Sequence, residues 1–141
     1  MMDFAERQRQ LIEKYRAIPD AQSRFAAIVE AAKNRPLLPN EFRIDPFRVE
    51  GCRVRIWLVP EYREDRCWFR TDSDAVSLKA IGGLLCDLYS GETPEAVVRE
   101  APAVLTELGL MPQLAENRRR TLWRIRKKIH DFAQSFVRGA S

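Results

Sequence analysis

Gly51-Cys52-Arg53-Val54-Arg55-Ile56-Trp57-Leu58-Val59 alternates at the period of an extended chain, with Val54, Ile56 and Leu58 on one face and Arg53 and Arg55 beginning the other. The spacing predicts a strand over Cys52–Leu58 with one wet side. In a strand that includes Cys52, period-two parity sets its side chain on the face of Val54 and Ile56, toward the core and partly shielded. A polar turn around Glu61 to Asp65 leads to Cys67-Trp68-Phe69-Arg70-Thr71, a second strand that returns as an antiparallel hairpin with Cys67 sharing the parity of Phe69.

Both flanks of the hairpin read as helical. Phe4, Leu11, Ile12, Tyr15 and Ile18 recur at helical spacing from Asp3 until Pro19-Asp20 interrupts them. Asp20 then caps a second helix lined by Phe25, Ile28, Val29 and Ala32, which ends at Arg35 before Pro36. Three prolines between Pro36 and Pro46 make the connection to Gly51-Cys52 a loop. Beyond the hairpin, Ser73 or Asp74 caps a helix through Leu78, Ile81, Leu85 and Leu88. Gly82-Gly83 inside it costs about 1 kcal/mol per glycine against alanine, so a close neighbour is expected there. Thr93-Pro94-Glu95 opens a short helix, Pro102 to about Leu108 a further one, and Leu122, Ile125, Ile129, Phe132 and Phe136 form the apolar stripe of a long basic terminal helix. Helices, a small sheet, then helices predict a two-layer α+β fold, a small antiparallel β-sheet covered by helices, as one domain over residues 1–141.

Cys52 is the candidate for chemistry, against the reading the residues alone favour, a buried structural cysteine. Gly51 lets the backbone turn just before the sulfur, and Arg48, Arg53 and Arg55 supply positive charge that favours a thiolate. Burial works against the thiolate, so two opposed effects act on this thiol. Cys52, Cys67 and Cys86 leave one over in any disulfide scheme, which argues for reduced thiols. Cys67 and Cys86 sit in strand and helix contexts that read as core. His130 has no cysteine or carboxylate at ligand spacing, and no phosphate loop, dinucleotide fingerprint or serine triad signature occurs. The amino terminus lacks the apolar core of a signal peptide, and no stretch approaches the roughly 18 apolar residues of a membrane span, so a cytoplasmic protein without a membrane partner is expected.

Four motifs stand in order along most of the chain: Leu38-Pro39; Arg48-Val49-Glu50-Gly51-Cys52-Arg53-Val54-Arg55-Ile56-Trp57; Asp72-Ser73-Asp74-Ala75 with Lys79; and Leu88-Tyr89-Ser90-Gly91-Glu92-Thr93-Pro94. With these residues the chain resembles the SufE/CsdE family of sulfur acceptor proteins, the partners of cysteine desulfurases in iron–sulfur cluster assembly. The resemblance implies a fold similar to that of the iron–sulfur scaffold IscU. It implies that Cys52 accepts sulfur from the persulfide of a SufS/CsdA-like cysteine desulfurase, stimulates that enzyme, and passes the sulfur to a scaffold such as SufBCD. The chain would then be a covalent carrier with no cofactor of its own, pyridoxal phosphate belonging to the desulfurase. Supporting roles fall on Gly51, Arg48, Arg53, Trp57, Asp74 and Arg118. Read from the residues, Trp57 fits core better than a sulfur shield, and the acidic cluster at Asp72-Ser73-Asp74 fits a helix cap better than a functional site.

The chain departs from the family pattern in two places. A Gly-Cys-Gln-Ser run is usual where Gly51-Cys52-Arg53-Val54 stands, which removes a hydroxyl, adds charge beside the thiol, and tunes the docking surface toward an acidic partner. Near the carboxy end Glu116-Asn117-Arg118-Arg119-Arg120-Thr121 keeps the family's arginine, as Arg118, and loses its proline and Asn-Gly or Gln-Gly pair. A net charge of +4 also admits a small nucleic-acid-binding protein. The apolar stripe on the basic terminal helix favours an ordinary amphipathic helix with a solvated basic face, so no nucleic-acid partner is expected. A module that activates a desulfurase by docking alone is the remaining alternative.

Overall fold

The computed structural model describes residues 3–137. Helix α1, Phe4–Arg16, starts where Asp3 accepts the Glu6 N–H at 2.9 Å, and α2, Ala21–Ala32, where Asp20 accepts the Ser23 N–H at 2.8 Å. These are carboxylates satisfying orphan amides at the positive end of a helix. The chain then crosses two single 3-10 turns, Asn40–Phe42 and Asp45–Phe47, to reach the hairpin. Strand β1, Ile56–Arg63, pairs antiparallel with β2, Arg66–Ser73, from Ile56 opposite Ser73 to Arg63 opposite Arg66. Glu64 and Asp65 between them both have positive φ, +53° and +62°. That is the geometry of the two-residue turn whose twist matches the hairpin's.

The remaining helices are α3, Val76–Tyr89; α4, Pro94–Arg99; α5, Val104–Glu107; and α6, Glu116–Gln134. Thr93 accepts the Ala96 N–H at 3.3 Å and Pro94 opens α4 as expected. Helix α3 is the centre of the molecule, with Leu78, Ile81, Leu85 and Leu88 buried together with most of its other faces. An all-round buried helix needs neighbours on every side, and the sheet, α2, α6 and α1 supply them. Gly83 marks the closest approach: a Cβ there would lie 2.6 Å from the Arg35 guanidinium, whose Nη2 meets Asp87 at 2.7 Å. Ile56 and Leu58 of β1 join Cys67 and Phe69 of β2 in the same core as Leu122, Ile125 and Ile129 of α6. The α+β reading therefore holds, with helices layered on a two-stranded antiparallel sheet.

Three local expectations are corrected. The strand begins at Ile56, so Cys52 to Arg55 lie in a loop and the parity argument does not govern the thiol. The second face of β1 is not wet at its start: Trp57 and Val59 are covered by Leu38, Phe42 and Phe47 from the proline-rich connection. That connection has no periodicity for a pattern search to detect. Finally, neither Ser73 nor Asp74 caps α3, whose N-cap is Ala75 with no side-chain cap. The acidic cluster pins loops instead. Asp72 accepts from the Leu38 N–H at 3.0 Å, from Arg43 at 2.9 Å and from the Ser73 N–H at 2.8 Å, with Lys79 Nζ at 3.6 Å. Ser73 Oγ donates to the Arg55 carbonyl at 2.9 Å, and Asp74 pairs with Arg55 at 2.7 Å.

Among the described residues no helix is long and apolar enough to cross a membrane. None of their His, Cys, Asp and Glu side chains gather in threes to hold a metal ion.

Candidate functional site

Cys52 stands on a loop closed at its base by the sheet. The Val49 N–H donates to the Ile56 carbonyl at 2.9 Å, Arg48 bridges to Trp57, and the Asp74 N–H donates to the Arg55 carbonyl at 3.1 Å. Between these ties the chain projects Gly51 to Val54 toward the first turns of α6. Gly51 is required twice over. Its φ of +80° is left-handed backbone that a side chain resists, and a Cβ would come within 2.8 Å of the Arg124 guanidinium. Arg124 donates through Nη1 to the Gly51 carbonyl, and the same nitrogen lies 4.0 Å from Cys52 Sγ. The sulfur also lies 3.7 Å from the Glu50 carbonyl. Cys52 is half-buried and packs against the edge of the main core.

The thiol opens into a pocket of about 530 Å³ lined by Arg53, Arg118, Arg120 and Arg124 over Val54 and Leu78. Asn117 and Thr121 complete the wall, and no carboxylate does. Arg120 meets Glu116 only at 3.5 Å on the surface, and the Nη1 of Arg118 is out of water and donates to nothing among the described residues. Four arginines on one pocket wall, with little acidic compensation, form a setting that attracts anions.

The structure brings together Gly51, Cys52, Arg53 and Arg118 on this pocket. Arg48, Trp57 and Asp74 lie elsewhere. The backbone of Arg48 closes the loop, and Asp74 holds Arg55. Trp57 is buried on the opposite face of β1, with the Arg43 and Arg55 guanidinium carbons 4.8 Å and 5.4 Å from its ring. Arg120 and Arg124 were legible only as part of a basic helix. Their i,i+4 spacing, with Asn117 and Thr121, gives them one face with Arg118, but nothing in the sequence says what that face meets.

The basic face of α6 is also less solvated than the sequence suggests. Arg119 donates to the Leu114 carbonyl at 2.9 Å, while Arg126 donates to the Glu100 carbonyl at 3.0 Å and lies over the Tyr89 ring. These two arginines hold neighbouring segments in place, and a continuous phosphate-binding stripe is broken accordingly.

The SufE family model, described as an Fe-S metabolism associated domain, matches residues 9–133. The chain belongs to the SufE family. A SufE-like protein of Rhizobium etli is 28% identical over 137 residues, covering 94% of this chain and 91% of the relative. The sulfur acceptor protein CsdE of Escherichia coli is 26% identical over 99 residues, 69% of this chain and 67% of the relative. The solution structure of a hypothetical protein from Thermus thermophilus shares the fold, with a TM-score of 0.72 at 22% identity over 91% of this chain and 93% of that one.

In this SufE-family chain the other two cysteines are removed from chemistry by packing. Burial, with a contribution from the Glu95 charge, pushes the Cys67 thiol up to about 11, and burial drives the Cys86 thiol higher still. Iodoacetamide at about pH 8 is therefore expected to add once to the folded protein, at Cys52. All three cysteines react after unfolding in urea. Intact mass counts the adducts, and a second adduct without unfolding contradicts the assignment.

Proposed function

We propose that this chain is a sulfur acceptor and carrier in iron–sulfur cluster assembly, with Cys52 as the residue that takes up sulfur. The observation that carries the reading is a half-buried thiol on a glycine-hinged loop at the mouth of an arginine-lined pocket. Family membership and the likeness to CsdE support it.

In the transfer step the Cys52 thiolate attacks the outer sulfur of a persulfide on a cysteine desulfurase. The donor's sulfur–sulfur bond breaks, the desulfurase cysteine leaves as thiolate with the bonding pair, and Cys52 becomes the persulfide. Arg124 can donate to the attacking sulfur, and Arg53, Arg118 and Arg120 present positive charge to an acidic rim on the partner. Pyridoxal phosphate belongs to the desulfurase, of SufS/CsdA type, and the recipient is a scaffold such as SufBCD. The carrier itself turns nothing over. Three unpaired cysteines suit a reducing cytoplasm.

The test is intact mass after incubation with a cysteine desulfurase, pyridoxal phosphate and L-cysteine, beside Cys52→Ser. A reducible gain of one sulfur on the wild type, absent from the variant, is expected. Equal stimulation of the desulfurase by Cys52→Ser and wild type would instead leave docking alone as the function.

A further inference from the structure

The arginine pocket is larger and more cationic than transfer between two protein sulfurs requires. A persulfide carries at most one negative charge, on sulfur, and arrives on the partner's own backbone. The pocket beside Cys52 has space of about 530 Å³, four guanidiniums, the Asn117 amide and no carboxylate. Planar guanidiniums with several donors match the oxygens of a small oxyanion better than they match sulfur. One of them, Arg118, holds a nitrogen that is already desolvated and has no partner among the described residues. Arg53 makes no ion pair among them either, and its side chain stands next in sequence to the nucleophile. A buried donor without an acceptor is a cost, which movement of the Arg118 side chain toward an incoming oxyanion relieves.

We infer that the Cys52 pocket also binds small dianions bearing a sulfane sulfur, of which thiosulfate is the simplest, and draws sulfur from them without a desulfurase. The inference rests on Cys52 being the sulfur-accepting thiol. In the step, the Cys52 thiolate attacks the outer sulfur of thiosulfate, a new sulfur–sulfur bond forms, and the bond to the sulfonate sulfur breaks. Sulfite leaves with that bonding pair, and Cys52 carries the persulfide. No external oxidant or reductant enters, because the outer sulfur passes from one sulfur partner to the other. Charge that accumulates on the departing sulfite oxygens meets the guanidiniums of Arg53, Arg118 and Arg120. Groups placed where charge develops in this way accelerate a displacement. Arg124, 4.0 Å from the sulfur, supports the attacking thiolate.

The experiment incubates the purified protein with millimolar thiosulfate at low ionic strength. Released sulfite and intact mass are followed, with cyanide added in a second arm to take the outer sulfur as thiocyanate and return the thiolate. The expected result is sulfite and thiocyanate formation that saturates with thiosulfate and is absent from Cys52→Ser. Added sulfate should compete more strongly than chloride at equal ionic strength, which separates oxyanion occupancy from general screening. Arg118→Gln is expected to raise the half-saturating thiosulfate by roughly tenfold, with Arg118→Lys restoring part of it.

A parallel arm loads the protein with a cysteine desulfurase and L-cysteine. Loading there, with no sulfite or thiocyanate from thiosulfate, overturns this inference and leaves the carrier function standing, the arginines then serving an acidic partner surface. Loading in neither arm overturns the carrier function itself. Equal reaction of the urea-unfolded chain with thiosulfate also overturns the inference, because the pocket would then add nothing.

Discussion

Asp72→Ala is expected to lower stability by about 3 kcal/mol, the scale set by removing one partner from a buried charge network. The carboxylate is buried and holds four groups from three parts of the chain: the Leu38 and Ser73 N–H groups, Arg43 and Lys79. Its loss leaves the ammonium of Lys79, itself nearly buried, facing no opposite charge, and leaves the Leu38 amide without its acceptor. The connection that covers Trp57 and Val59 loses its tie to the sheet at the same time. The midpoint of urea unfolding at neutral pH checks the expectation, and a midpoint equal to that of the wild type contradicts it.

The same residue fixes the sign of a pH dependence. Burial alone would raise the Asp72 carboxyl, but the hydrogen bonds from Leu38, Arg43 and Ser73 and the charge of Lys79 outweigh it and hold the group below its ordinary value of 3.8. A depressed native pKa contributes stability that is full above the unfolded value and is lost as pH falls through the native one. The gap in stability between wild type and Asp72→Asn should therefore be widest at neutral pH and close in acid below about pH 4.

Gly51→Val is expected to slow sulfur uptake onto Cys52 by about a hundredfold, the cost of displacing a reacting group by about 1 Å. Two separate effects act at this position. A β-branched side chain is strained at a φ of +80°. Its Cβ also enters the space of the Arg124 guanidinium, breaking the bond to the Gly51 carbonyl and moving the cation away from Sγ. Arg124→Ala produces only the second effect, because it removes the cation and leaves the Gly51 backbone unstrained. Uptake is expected to fall less in Arg124→Ala than in Gly51→Val, and the difference measures the backbone strain. Time-resolved intact mass during desulfurase loading reads all of these rates. Uptake by Gly51→Val within about twofold of wild type would mean that the loop geometry does not govern reactivity.

Much of the molecule was legible from residues close together in the chain. The apolar spacing of α1, α2, α3 and α6, the caps at Asp20 and Thr93, and the hairpin all follow from local periodicity and turn chemistry. Cys52 was legible as the candidate thiol partly on such local ground, since Gly51 and the flanking arginines are its chain neighbours, and decisively through the family resemblance. Fold class and hairpin thus belonged to the sequence, because backbone propensity and side-chain period act over a few residues.

What surrounds the thiol belonged to the tertiary structure. Arg124 reaches Cys52 from 72 positions further along, on a helix whose register against the loop is set by Leu122, Ile125 and Ile129 entering the core. Trp57 and Val59 are dry because Leu38, Phe42 and Phe47 arrive from a segment without periodicity. Asp72 is a tether and not a cap because its partners lie as far as 34 residues away. Convergence of this kind is decided when the core closes and fixes which helix face meets which loop, and a pattern read along one stretch of chain carries no information about it.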